Sequence, residues 1–500
     1  MAFIQMSNIT KTFPNVVAVD DCTLDIHKGE IFSLIGENGA GKSTMMKILY
    51  GLYAPDKGSV EIDGNAVSDM TPEKANTMGI GMVHQEFMLV DNFTVLENII
   101  LGFEPKKSLG RIDFKAAETE ITKYIDEYNL DVPIHRQVKN ISVGQAQRVE
   151  IIKTLYRGAN ILILDEPTAV LTPSETEKLF IILRKMRADG KTIIFISHKL
   201  GEVLEISDRI GVMRRGKYVD TVNKSDATAQ LLAKMMVGRD VLLDGEKPPS
   251  NPGETVLEVR DLRVIGRRRL STVKGVSFEI KAGEILGIAG VDGNGQSELV
   301  EALAGLREVY SGSVKLCGVS TTRLNPLGVR KAGLSHIPED RNTFGLNKEF
   351  SVSENLAATH LDKVSRRGVI ARRKVDEMGV RLIEQYDIRP GNGRARAGTL
   401  SGGNAQKIVV AREIEMGSKL MIASQPTRGV DIGAIESIRN ILNRAKKGGT
   451  AVLLVSADLD EIIALSDRII VMHEGRISGE LPGGDVDIQA LGMMMTGGSL

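Results

Sequence analysis

No stretch of this sequence stays apolar for long. Uninterrupted runs such as "AVLLV" at 451–455 fall far short of the roughly 18 residues that span a bilayer. The N-terminus, "MAFIQMSNITKTF", has no charged start leading into an apolar core of about 7–15 residues, so it does not read as a secretory signal. Cysteine is scarce. Cys22 and Cys317 stand far apart, which argues against a disulfide framework and fits a reducing compartment. No Cys or His falls at metal-ligand spacing. Charge leans neither way: 64 basic against 64 acidic residues give a formal net charge of zero, with no overall pull toward nucleic acid or anionic lipid. The expectation is a soluble protein, or one that reaches a membrane only through a partner, with no nucleic acid bound.

What is present is a duplication. The 500 residues leave room for two or more domains with real cores. A shift of 254 places Gly29 on Gly283, Gly36 on Gly290, Gly41 on Gly295, Gly51 on Gly305 and Gly58 on Gly312. Further along, a shift of 259 places Ser142 on Ser401, Pro167 on Pro426 and Ser197 on Ser456. A period this long means two whole domains rather than a solenoid. "GEKPPSNPGE" at 245–254 is rich in Pro, Gly and charge and reads as a linker between a domain at 1–244 and another at 255–500. Short apolar runs ("IFSLIG", "ILILD", "TIIFIS") alternate with helical stretches such as "SETEKLFIILRKMRADG". That alternation predicts an α/β fold in each half, a mainly parallel sheet flanked by helices.

In the first half, "IFSLIGENGAGKSTMMKILYG" carries GxxxxGK[ST] as Gly36, Gly41, Lys42 and Ser43. It follows an apolar strand and opens an amphipathic helix, the context a phosphate-binding loop requires. Glycines let backbone N–H groups face phosphates, and the helix N-terminus adds partial positive charge. The candidate nucleotide-binding residues are therefore Gly36, Glu37, Asn38, Gly39, Ala40, Gly41, Lys42, Ser43 and Thr44. Lys42 would reach the β- and γ-phosphates, and the Ser43 hydroxyl would ligate Mg²⁺. The strand "ILILDEPT" then delivers Asp165 and Glu166 to the same crevice. Asp165 would help hold Mg²⁺ through water, and Glu166 would act as general base toward the attacking water. Between them, "ISVGQAQRVEI" and its counterpart "LSGGNAQKIVV" place Ser142 and Ser401 at helix starts, a second kind of anion-binding end.

The order GxxxxGKS, Gln, LSGGQ-like, DE, His resembles the ATP-binding cassette (ABC) ATPases over nearly the whole chain. The resemblance implies two tandem cassettes, each with an added helical subdomain, using ATP and Mg²⁺. It implies that Gln85 in "GMVHQEF" senses Mg²⁺ and the attacking water, that His198 in "IFISHKL" contacts the γ-phosphate, and that Phe13 in "KTFPNV" stacks on adenine. It also implies that Ser401, Gly402, Gly403 and Asn404 serve the nucleotide of the opposite cassette.

The second half has lost the chemical ends of this device. Gln296 stands for Lys42, Glu339 for Gln85, Ser424 and Gln425 for Asp165 and Glu166, Ala457 for His198, and Arg267 for Phe13. The glycines survive, so the fold is kept and the reaction discarded. Conversely the first half has Thr172 where Asp431 stands in "TRGVD". The resemblance thus implies one competent ATP site on the first cassette.

Two cassettes, a short linker, no membrane span and "PEDR" resemble the energy subunits of simple-sugar and nucleoside importers; "ASQPTRGVD" points to the nucleoside branch. Implied partners are two transmembrane permease subunits and, indirectly, an external substrate-binding protein. The implied location is peripheral, at the cytoplasmic face of the membrane, with membrane contact through the permeases only. Twin-cassette proteins that act on ribosomes join their halves by a long charged helix and keep both acidic pairs, unlike this chain. The run "GRRRL" at 266–270 reads as a solvated face, and "KMMVG" and "GMMMTGG" as packing.

Overall fold

The computed structural model describes every residue except 1, 15, 86, 108–109, 170, 241–247, 267–270, 292, 485, 496 and 498–500. Arg267 and most of the 266–270 run lie outside the described residues. The chain divides into two compact units, Met1–Val241 and Leu242–Leu500.

Among its described residues the first unit contains ten strands: β1 (Ile4–Phe13), β2 (Val16–Ile26), β3 (Ile31–Gly36), β4 (Lys57–Ile62), β5 (Asn65–Val67), β6 (Ile80–Val83), β7 (Ile161–Asp165), β8 (Thr192–Ile196), β9 (Arg209–Arg214) and β10 (Lys217–Asn223). Six of them form one sheet in the order β10-β9-β3-β8-β7-β6. Within it β3 runs parallel to both β8 and β9, and β7 runs parallel to β6 and β8; only β10 is antiparallel to its neighbour.

The reason for the unbroken apolar runs is visible along β7. Leu162 and Leu164 enter one core with Ile193 and Phe195 of β8, while Ile161 and Ile163 enter another with Ile194 and Ile196. A strand covered on both faces has no polar side to show. The first of these cores is closed by a helical subdomain, Val95–Ile100, Phe114–Tyr128 and Val143–Tyr156, which contributes Val95, Ile99, Ile121, Val149 and Ile152. The second core lies under a separate antiparallel sheet, β2-β1-β4-β5, whose Ile4, Met6, Leu24 and Val60 pack with Met45, Met46 and Leu49 of the helix Lys42–Leu49. This antiparallel layer is an addition to the mainly parallel sheet read from the sequence.

The second unit repeats the plan with β11 (Thr255–Ile265), β12 (Ser271–Lys281), β13 (Ile285–Ala289), β14 (Val309–Leu316), β15 (Val319–Ser320), β16 (Leu334–Ile337), β19 (Leu420–Ser424), β20 (Ala451–Val455), β21 (Arg468–His473) and β22 (Arg476–Pro482), plus a two-residue hairpin of β17 (Ser365–Arg366) and β18 (Val369–Ile370). Its large sheet runs β16-β19-β20-β13-β21-β22, the same order as in the first unit, and its antiparallel sheet runs β12-β11-β14-β15. Residues 248–254 are tied to this second unit: the Pro248 carbonyl accepts from Lys446 Nζ, and Gly253 and Glu254 exchange backbone hydrogen bonds with Ala282. Of the methionines read as packing, Met236, Met494 and Met495 are buried, whereas Met493 is exposed.

Candidate nucleotide-hydrolysing site

The parallel sheet of the first unit ends its strands on one side, and the candidate residues follow those ends. Gly36 closes β3, Gln85 lies two residues past β6, Asp165 closes β7 with Glu166 next, and His198 lies two residues past β8. Crevices at such carboxyl ends are where open α/β sheets bind ligands.

The phosphate loop leads from β3 into the helix Lys42–Leu49. Its N-cap, Gly41, is left-handed at φ 101°, and a Cβ there would sit 2.4 Å from the Ala18 carbonyl oxygen. Only glycine fits that turn. Ala40 N–H donates to the Glu37 carbonyl, closing the loop; Ala40 is buried, while Asn38 and Gly39 are exposed at its tip. Lys42 is buried, and its Nζ donates to the carbonyls of Gly36 (2.7 Å) and Glu37 (3.1 Å). Burial lowers its pKa, against the pull of Glu166, Asp165 and Glu37. Thr44 follows half-buried in the first turn.

Ser43 Oγ donates to Asp165 Oδ1 at 3.3 Å. Burial raises the Asp165 carboxyl above the usual range, opposed by that hydrogen bond and reinforced by the charge of Glu166. Glu166 adopts the left-handed conformation at φ 50°, and its N–H donates to the Ile196 carbonyl of β8 at 3.0 Å. Non-glycine residues rarely sit there without surrounding constraint. The turn holds the Glu166 carboxylate between two partners: Oε2 accepts from Gln85 Nε2 at 3.2 Å, and Oε1 meets His198 Nδ1 at 2.9 Å. Burial alone would push the Glu166 carboxyl up. The His198 hydrogen bond, with the charges of His198, Lys42 and Lys199, instead holds it below the ordinary Glu value.

Six of the candidate residues are thus brought together: Lys42, Ser43, Gln85, Asp165, Glu166 and His198. Phe13 stands apart from this hydrogen-bonded set. It ends β1, partly exposed, with its ring edge-on to Tyr53 at 5.3 Å.

The second unit keeps the backbone of the device and changes its ends. Gln296 is buried and donates to the Val291 carbonyl at 3.2 Å, turned back on its own loop as Lys42 is. Gln425 keeps the left-handed turn at φ 48°, its N–H bonded to Val455 O at 2.7 Å, but its Oε1 accepts from the Ala457 backbone. Ser297 Oγ donates to Glu339 Oε2 (3.2 Å), and Glu339 Oε1 pairs with Arg428 at 2.5 Å. Ser401 caps the helix Gly402–Ile414, accepting from the Asn404 N–H and its Nδ2. A Cβ at Gly403 would come within 2.7 Å of Asp431 Oδ2 and 2.9 Å of Ala434 Cβ, and one at Gly402 within 2.9 Å of Gly429 O. Close packing inside this unit therefore already requires both glycines. Asp431 and its counterpart Thr172 are both helix N-caps, which explains why either type stands at that place.

Duplicated phosphate loops at the ends of parallel sheets, one with its acidic pair and one without, define a tandem P-loop nucleotide-binding protein. Comparison with known families matches the ABC transporter family over residues 19–169 and 273–428. The nucleoside import ATP-binding protein NupA of Lactococcus lactis subsp. cremoris is 48% identical over 99% of this chain and 98% of its own length. The guanosine import ATP-binding protein NupO of Bacillus subtilis is 48% identical over 99% of this chain and 97% of its own length. The glucose import ATP-binding protein TsgD13 of Haloferax volcanii is 43% identical over 99% and 96%. The chain belongs to the ABC transporter family.

Proposed function

We propose that this chain hydrolyses ATP in its first cassette to drive the import of a nucleoside across a membrane. The observation that carries the chemistry is Glu166, held between Gln85 and His198 beside the Ser43–Asp165 pair. Its counterpart Gln425 has no proton-accepting carboxylate to offer. Glu166 takes the proton of the attacking water, and Gln85 and His198 fix the orientation of its two oxygens. Lys42 and the exposed N–H groups at the loop tip receive the β- and γ-phosphates.

The donor set also suits Mg²⁺, which prefers oxygen ligands and keeps several waters. Ser43 and Asp165 would hold it, with Gln85 nearby, and bound there it would neutralise charge developing on the phosphates. Among the described residues no group of three or more His, Cys, Asp or Glu that could hold a metal ion occurs.

The nucleoside assignment rests on the two relatives at 48% identity, against 43% for the glucose importer. No helix among the described residues is long and apolar enough to cross a membrane. The import ATP-binding relatives support a chain that works peripherally, at the cytoplasmic face, on two permease subunits that carry the solute, with a substrate-binding protein outside. Two experiments test the reading. Glu166→Gln should bind ATP normally while hydrolysis falls roughly 10²–10⁴-fold; a variant that still hydrolyses at the wild-type rate removes Glu166 as the base. In cells lacking the protein, labelled nucleoside uptake should return with the intact chain and not with Lys42→Ala. Restored ribose uptake instead would move the protein to the sugar branch.

A further inference from the structure

Behind the Glu166–His198 pair lies a second set of contacts. Glu202, in the helix Leu200–Ile206, accepts at Oε2 from the hydroxyls of Thr168 (2.5 Å) and Ser197 (3.3 Å). Its Oε1 lies 3.1 Å from Lys199 Nζ. Thr168 is two residues beyond Glu166, and Ser197 immediately precedes His198. Lys199, immediately after His198, donates its N–H to Ser197 Oγ (3.0 Å) and its Nζ to the Thr168 carbonyl (3.5 Å). One carboxylate and one ammonium therefore both tie the turn that carries Glu166 to the loop that carries His198.

The second cassette supplies a control. The 259-residue shift places Thr427 on Thr168, Ser456 on Ser197 and Glu461 on Glu202, but Asp458 on Lys199. The loop is built the same way, with Asp458 N–H donating to Ser456 Oγ at 3.1 Å. The fold at this place thus accepts an aspartate. The cation is missing from the same cassette that lacks the catalytic Glu, the Mg²⁺-side Asp and the His, so its presence in the first follows the chemistry rather than the fold.

We infer that Lys199, anchored by Glu202, is a positioning residue of the hydrolytic site: it clamps the His198 loop to the Glu166 turn. The inference rests on the reading of Glu166 as the base. With the clamp released, the His198 Nδ1–Glu166 Oε1 contact is no longer held in place, so the loss should fall on kcat and leave KM for ATP nearly unchanged.

The test is the steady-state ATPase of the full chain, as kcat and KM, for Lys199→Met, Lys199→Arg and Lys199→Asp, with Glu166→Gln alongside. Residues that orient a reacting group without touching substrate typically contribute roughly 10–100-fold. Lys199→Met should lower kcat by about that much and leave KM for ATP within about twofold. Lys199→Arg should restore most of the rate. Lys199→Asp, which copies a residue the second cassette already folds around, should be at least as slow as the Met variant. Wild-type kcat in Lys199→Met, or a loss that falls on KM or that Arg does not repair, would overturn the inference. If Glu166→Gln itself stays active, the reading of the base has failed. If it is dead while Lys199→Met keeps the wild-type kcat, only the clamp has failed.

Discussion

Replacing Glu461 with Gln should abolish a proton-linked loss of stability in the second cassette. Glu461 is 0% exposed, with the hydroxyls of Ser456 and Thr427 beside it and Asp458 where the first cassette has Lys199. Burial, opposed by the Ser456 hydroxyl and reinforced by Asp458, raises its carboxyl from 4.5 to about 7; Thr427 and Arg439 pull the other way. Below the unfolded value both states are protonated and nothing is lost. Between 4.5 and about 7 only the folded state keeps the proton, so stability falls as pH rises, and above that window the loss is complete. The displacement is roughly a three-hundredfold change in proton affinity, or about 3 kcal/mol at about 1.4 kcal/mol per factor of ten. For a domain this size that is roughly 6–12 °C in Tm. Scanning calorimetry of wild type and Glu461→Gln at pH 5 and pH 8 reads the difference of differences, because Gln keeps the shape and cannot ionise. Asp458→Lys should also flatten the dependence, by giving the ionised carboxylate the partner Glu202 has. Identical pH dependence in wild type and Glu461→Gln would refute the argument.

Two further outcomes follow from the paired loops and from the signature helix. Lys42→Ala should abolish ATP hydrolysis, whereas Gln296→Ala and Gln425→Glu in the second cassette should leave it within about twofold, measured as phosphate release; equal losses from the two loops would sink the one-site reading. Gly403→Ala should destabilise the protein by about 1–3 kcal/mol, because the new methyl would lie 2.7 Å from Asp431 Oδ2 and 2.9 Å from Ala434 Cβ; an unchanged melting temperature would count against close packing as the reason for that glycine.

The phosphate loop and the acidic strand were legible because their chemistry is local. Gly36 to Ser43 occupy eight consecutive positions after a strand, and "ILILD" has no polar face to confuse its period. The antiparallel layer was not legible for the opposite reason. Register shifts interrupt β1 and β2 between Met6 and Thr12, and Asp20 and Asp21 break the alternation that marks a half-buried strand. Pairs formed across long separations were equally silent: Thr168 and Glu202 are 34 residues apart, Glu339 and Arg428 are 89. The exchange of Lys199 for Asp458 was the one usable signal, since it falls on the same offset that exposed Ala457. It acquires meaning only once Glu202 is seen to reach both sides of the gap.

What the second cassette has preserved separates geometry from chemistry. Its acidic-strand turn remains left-handed at Gln425, φ 48° against 50° at Glu166, and its backbone N–H still reaches the neighbouring strand. Such a turn costs free energy for any non-glycine residue, so the surrounding sheet must impose it in both cassettes, whatever side chain it carries. The side chains have meanwhile exchanged partners. Where Ser43 meets Asp165 and Gln85 meets Glu166, Ser297 meets Glu339, and Glu339 meets Arg428. That ion pair is largely exposed, 56% and 36% at its two side chains, and exposed pairs contribute only about 0–1 kcal/mol. Its effect is one of connection: Arg341, two residues past Glu339, also donates to the carbonyls of Arg428 and Gly429. The loop after β16 is thus fastened to the turn after β19 by a carboxylate and two guanidinium groups, where the first cassette fastens the same two segments through Gln85 and Glu166, the proposed base. Glu339 thus joins the loop after β16 to the phosphate-loop serine through one oxygen and to the Arg428 turn through the other.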